Sequence, residues 1–179
     1  MQLIVEGRFV SNDWRDGELA DVDGKWPTVV TLENIVPAQL SEIWYPRNAL
    51  GLLVSNETRV ADLFNFFSSV GLFVVAFPSL VDGRGFSTAV NLRRLGFNGE
   101  IRARGELIPD QYHHVKACGI DSIEITPDLS ERHSELEWRK AWQRFPSRYQ
   151  LKTTGSSSIV ARRHRGLTAA ETAQTQRAS

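Results

Sequence analysis

The chain has 179 residues, 41% hydrophobic and 23% charged, with 21 Lys plus Arg against 21 Asp plus Glu. That composition suits one globular domain, or one domain with a tail, and excludes collagen-like, coiled-coil and disulfide-scaffold architectures. A single cysteine, Cys118, cannot form an internal disulfide and fits a reducing compartment, so a soluble cytoplasmic protein is expected.

The N-terminal MQLIVEGRFV lacks the basic flank and long apolar run of a signal peptide. The longest apolar stretch, Val70 to Phe77, is too short to span a bilayer. The neutral total also hides an asymmetry. Residues 1–147 hold 15 basic and 20 acidic residues, a charge of −5, whereas residues 148–179 hold six basic residues and one acid, a charge of +5.

Three segments follow in chain order. Residues 1–49 read as an irregular segment packed on the domain. Trp14, Trp26 and Trp44 are scattered among turn formers there, and only Thr28 to Leu32 has the β-branched content of a strand. Residues 50–147 read as an α/β core. Leu50 to Val54 is a short apolar strand, and Asn56 is placed to cap a helix over about 57–69 with Val60, Leu63, Phe64 and Phe67 on one face. Leu72 to Phe77 is uniformly apolar, as in a strand buried on both faces.

Ser87 is placed to cap a helix reaching Leu95. Glu100 to Gly105 is the next strand, Pro109 opens a helix closed by Gly119, Ser122 to Ile125 is a fourth strand, and Ser130 caps a last helix over about 131–144. Residues 148–179, polar and rich in Ser, Thr and Ala, read as a basic disordered tail. The tail's ARRHR run has no interleaved aromatics, so nucleic acid is not the expected partner. The alternation of strand and helix predicts βα units in a small, mostly parallel sheet, open or half-barrel-like. It is too short for an eight-stranded (β/α) barrel, which needs roughly 250 residues.

In such sheets ligands bind where loops leave the C-terminal ends of the strands. Two of these loops carry chemistry. In Asp82-Gly83-Arg84-Gly85-Phe86-Ser87, glycines and a helix N-terminus suit an anion, and Arg84 adds a fork of donors. A solvent-facing turn is the plainer alternative. The second loop, Glu106 to Gln111, is fed by Arg102 and Arg104, which share one face of their strand. Those arginines lie either in water at a sheet edge or in a polar pocket near Asp82 and Glu106.

The ligand-binding candidates are therefore Gly83, Arg84, Gly85, Ser87, Arg102 and Gln111, and the acid–base candidates are Asp82, Arg84, Glu106 and Asp110. Gly83-x-Gly85-x-x-Thr88 departs from the dinucleotide fingerprint at its last position, so no cofactor is assigned. His114 and Cys118 share a helical face but have no further His or Cys nearby, so no metal site is expected and Cys118 reads as a packing residue.

The segments FPSLVDGRGFS, LGFNGEIRARGE and DQYHHVKACGID together resemble the DUF934 family of bacterial proteins, which carries the label of an uncharacterised oxidoreductase involved in sulfite reduction. Two positions depart from the family pattern: Glu106 replaces the usual Asp, and Pro109 replaces a basic residue. The resemblance implies an oxidoreductase, or a component of one, in assimilatory sulfite reduction and cysteine biosynthesis, with sulfite as the small oxyanion. It equally accommodates a non-catalytic accessory protein that binds sulfite reductase or its electron donor. A third reading, an enzyme acting on a phosphorylated small molecule, rests only on the glycine loop and the α/β pattern.

Overall fold

A computed structural model describes residues 1–35 and 46–144, and Met1–Gln143 forms one compact unit. Trp44 and the basic tail lie outside the described residues. Eight strands make one curled, half-barrel sheet: β1 (Gln2–Val5), β2 (Arg8–Val10), β3 (Arg15–Asp16), β4 (Thr28–Thr31), β5 (Leu50–Val54), β6 (Leu72–Phe77), β7 (Glu100–Gly105) and β8 (Ser122–Ile125). Their order across the sheet is β2-β1-β8-β7-β6-β5-β4-β3. From β3 to β8 every neighbouring pair is parallel, and the β1–β2 hairpin closes the far edge antiparallel to β8.

Five α-helices lie among the described residues: α1 (Val60–Leu63), α2 (Arg84–Arg94), α3 (Tyr112–Ala117), α4 (Pro127–Arg132) and α5 (Glu135–Gln143). None among the described residues is long and apolar enough to cross a membrane.

The four strands expected after residue 49 occupy the residues expected of them. The N-terminal segment contributes more than its composition suggests, since three further strands join β4 there. Glu6 and Gly7, at φ 51° and 75°, form the two-residue turn between β1 and β2. Positive φ at both central residues is the hairpin geometry that follows strand twist, although Glu is not a residue that announces it.

Helix starts also differ from expectation. Asn56 does not cap a helix; it bonds Asp82 instead, and α1 starts later, after Arg59. The expected last helix is two. Thr126 caps α4 by accepting from the Leu129 N–H, and at the start of α5 Glu137 Oε2 accepts from the Ser134 N–H and hydroxyl while the Glu137 N–H donates to the Ser134 carbonyl.

Among the described residues the helices bury one face of the sheet. Leu52, Val54, Phe73, Val75, Phe77, Ile101, Ala103, Ile123 and Ile125 meet Phe86, Ala89 and Leu92 of α2, Tyr112 and Val115 of α3 and Trp138 of α5 in the main core. The opposite face carries a smaller apolar patch, Val29, Leu72 and Val74, against which Trp14 and Leu53 pack. Trp14 reaches this face from the N-terminal segment. Its ring lies where a side chain on Gly51 would stand, about 3.0 Å from that missing Cβ.

Gly105 ends β7 at φ +133°, and a Cβ there would stand 2.2 Å from the Phe77 carbonyl oxygen. Both conformation and contact exclude a side chain. Gly105→Ala is expected to destabilise the unit by about 2–4 kcal/mol in urea unfolding, with an unchanged m-value.

Candidate functional site

The chemistry-bearing residues fall into three places. The first lies where β5 and β6 end. Asp82 accepts both from the Arg84 backbone N–H (3.1 Å) and from its guanidinium, with Nη2–Oδ2 at 2.6 Å and Nε within 3.1 Å of both oxygens. Asn56 Nδ2 donates to Asp82 Oδ2 at 2.7 Å, and Arg84 Nη1 pairs with Glu57 Oε1 at 2.6 Å. The Arg84 side chain is 56% exposed, yet its fork is held by two carboxylates.

The bonds from Arg84, seconded by Asn56, hold the Asp82 carboxyl down to about 2. At neutral pH Asp82 is therefore a fixed anion and a weak base, unsuited to moving protons. Of the two loop glycines, Gly85 is required by packing. A Cβ there would stand 2.6 Å from the Phe77 ring, so this glycine brings α2 onto β6. Gly83, at φ −82°, faces open space.

A groove of about 780 Å³ runs beside this cluster, between residues 56–61 and α2. Arg84, Ser87, Asn91 and Arg94 form its α2 wall at helical spacing, and Thr58 and Arg59 stand opposite. The side chains of Arg59 and Arg94 are exposed and make no hydrogen bond or ion pair among the described residues. These two residues were not singled out from sequence. Arg59 sits in a stretch that reads as helix, and Arg94 reads as a cation favouring a helix C-terminus.

The second place is the helix-free face. Arg102, only 2% exposed, donates to Glu100 Oε1 (3.0 Å), Ser122 Oγ (3.2 Å) and Asn12 Oδ1 (2.9 Å), and lies 3.7 Å from buried Glu124. Arg104 bridges Glu124 (3.1 Å) and Asp16 (2.7 Å). The two arginines do share a face, as the period of two requires. The joint pocket expected from Arg84 and Arg102 is not formed. α2 packs on the Phe77 side of the sheet, while Arg102 projects beside Val74 on the other. Nor is the strand at an edge. Arg102 is buried because carboxylates and the N-terminal segment cover it.

The third place is the loop after β7. Gln111 Nε2 donates to the Leu80 carbonyl (2.9 Å), and its Oε1 accepts from the Ile108 N–H (3.2 Å), so both ends of this amide fasten loops. Glu106 is partly exposed and Asp110 exposed, and neither side chain joins the Arg84 cluster. Cys118 is buried, with Sγ 3.8 Å from His114 Nε2, and burial pushes its thiol up, away from the reactive thiolate.

At the opposite end of the sheet, Arg93 donates to the carbonyls of Gly119 (2.9 Å), Phe97 (2.9 Å) and Gly99 (2.7 Å) and pairs with Asp121, which also accepts from the Ile101 N–H. The LGFNGE and CGID segments meet there as a structural latch.

In class, then, this is an open α/β half-barrel whose candidate site is an arginine-lined surface groove at the C-terminal ends of two adjacent strands. The chain belongs to the DUF934 family, described as bacterial proteins of unknown function, whose model matches residues 51–160. No curated protein matches it.

Two outcomes follow from these contacts. The Asp82 carboxyl should titrate at about 2 by NMR and move up towards 3.8 in Arg84→Ala. Because the folded value is depressed, the stability this contact lends is present above about pH 4 and lost as pH falls towards 2. Arg102→Met strips the buried Glu124 of one cation and should cost about 3–5 kcal/mol in urea unfolding, much of it recovered when Glu124→Gln is added.

Proposed function

We propose that the protein serves assimilatory sulfite reduction as a non-catalytic accessory that binds the sulfite reductase or its electron donor. The pathway comes from the resemblance of the DGRGFS, GEIRARGE and CGID segments. The accessory role is supported by one observation above others: the two arginines best suited to hold sulfite are each engaged by carboxylates, on opposite faces of the sheet. An oxyanion at Arg84 must compete with Asp82 and Glu57, and at Arg102 it must enter a covered network. The acid–base candidates give the same answer, since Asp82 is locked as an anion and Glu106 and Asp110 stand apart from it.

An accessory needs none of these groups to converge. It needs a stable scaffold and an exposed recognition surface. The loop after β6 supplies such a surface, with Leu80 41% and Val81 94% exposed beside Arg84 and fastened from below by Gln111. Exposed apolar side chains next to charge are the usual composition of a docking site.

The test uses the full chain and a purified sirohaem sulfite reductase. Calorimetry with sulfite, sulfate, NADPH and flavin mononucleotide is expected to give no binding heat below millimolar concentration. The reductase, or its purified electron-donor partner, is expected to co-elute with the chain, less so as salt rises. Micromolar sulfite binding abolished by Arg84→Ala would restore the oxidoreductase reading and overturn this one.

A further inference from the structure

We propose that the groove between residues 56–61 and α2 is a docking cleft for an acidic polypeptide segment of the partner protein. The proposal deepens, and rests on, the accessory reading.

Three features define the occupant. Charge comes first. Arg59 and Arg94 line the groove without hydrogen-bonding or ionic partners among the described residues, and Arg84 stands with its carboxylates at one end. Asp62, the exposed acid of α1, pairs with neither arginine. Among the described residues of the lining the charged side chains are all arginines, and walls of that sign select anions.

Shape comes second. Arg84 and Arg94 are ten residues apart on one straight helix, about 15 Å of axial rise at 1.5 Å per residue. Donors strung along that length do not converge on one small oxyanion. They suit a chain whose carboxylates recur, since an extended polypeptide advances roughly 3.3 Å per residue and covers the distance in about five.

The lining comes third. Between the arginines lie Ser87 and Asn91, with Thr58 opposite, all able to bond the backbone of an extended segment. No aromatic side chain lines the groove among the described residues, which offer no stacking platform to the bases of a nucleic acid. A phosphorylated metabolite would ordinarily be enclosed with its donors converging on one group, and this groove is open with its arginines spread along its length.

The probe is a fluorescein-labelled hexaglutamate peptide, read by anisotropy against the full chain at low salt. Hexaglutamate is expected to bind, at least tenfold more weakly to the Arg59→Ala/Arg94→Ala double variant and undetectably to Arg59→Glu/Arg94→Glu. Lys25→Ala, an exposed cation elsewhere, should bind as wild type. Because neither groove arginine holds a partner, both double variants should unfold at wild-type urea concentrations. Equal affinity of wild type and double variant would overturn the proposal. So would tighter binding of hexathymidylate, or binding of inorganic sulfate that the double variant abolishes.

The two readings separate in a second measurement. If sulfite reductase co-elutes equally with wild type and the double variant, and hexaglutamate fails to displace it, the groove proposal falls while the accessory reading stands. If hexaglutamate binding depends on Arg59 and Arg94 but neither reductase nor electron donor associates, the accessory reading falls and the groove's ligand class holds.

Discussion

The half-barrel depends on how its helix-free face is covered. A parallel sheet is stable when both faces are buried, and the helices among the described residues bury one of them. The other is closed by residues 12–16, and the fastening is ionic. Arg102 and Glu124 lie on neighbouring strands with almost no exposure; Asn12, Glu100, Ser122 and Arg104 bond them, and Arg104 is tied in turn to Asp16. Trp14 adds the apolar part of the cover over Gly51. A buried guanidinium beside a buried carboxylate is tolerable only when both are fully bonded. The charged pair therefore requires the N-terminal segment to be in place. The strap and the network form one cooperative feature, which explains how a strand reading EIRARG can run through the middle of a sheet.

This coupling changes what the charged motif residues are for. Arg102, Arg104 and Glu124 are structural, and so is the Arg93 latch that gathers the turns around Gly99, Gly119 and Asp121. Gly85 serves the packing of Phe77. Once these are assigned to the scaffold, the residues left over at the C-terminal edge are few: the Asp82–Arg84–Glu57 cluster, the Leu80–Val81 tip, and the groove with Arg59 and Arg94. They are exposed and arranged as a surface, which is the physical content of the accessory reading.

Much of the fold was legible because β5 to β8 have the plain signature of buried parallel strands, bounded by Asn, Gly and Pro. The N-terminal strands were hidden for separate reasons. β3 is two residues long, β2 is three, and the β1–β2 turn uses Glu6 where Asn or Asp would have signalled it. Pro127 after Thr126, and Ser134 three residues before Glu137, do mark two helix starts. Ser130 was the wrong signal because it lies inside α4. For the candidate site, the loop reading brought Asp82 and Arg84 together, as the structure does, but took Ser87 for the helix cap, whereas the helix already starts at Arg84 after Gly83. The pocket shared by Arg84 and Arg102 was a misreading, because sequence shows that two strands are neighbours but not which face a helix-borne arginine shares with a strand-borne one. The groove was missed for a related reason: its arginines become a feature only when a segment after β5 and a helix after β6 are laid side by side.

The same point bears on charge. A neutral chain gives no hint of electrostatic recognition, and an acidic body points if anything to a basic partner. What decides recognition at a surface is the charge left unpaired within about a Debye length, roughly 8–10 Å at physiological salt. Within the body, Arg93, Arg102 and Arg104 are consumed by partners of opposite sign, as are Arg132 and Arg139 on their own helices. Each such pair removes a cation and an anion from the external field together. Arg59 and Arg94 are unpaired among the described residues and line one groove together, whereas Arg8, Lys25 and Lys140 are exposed singly elsewhere. An acidic segment arriving there meets two uncommitted guanidiniums, and the surrounding acidic body repels it everywhere else. Attraction at the groove and repulsion around it both favour one register, which an on-average basic protein could not impose.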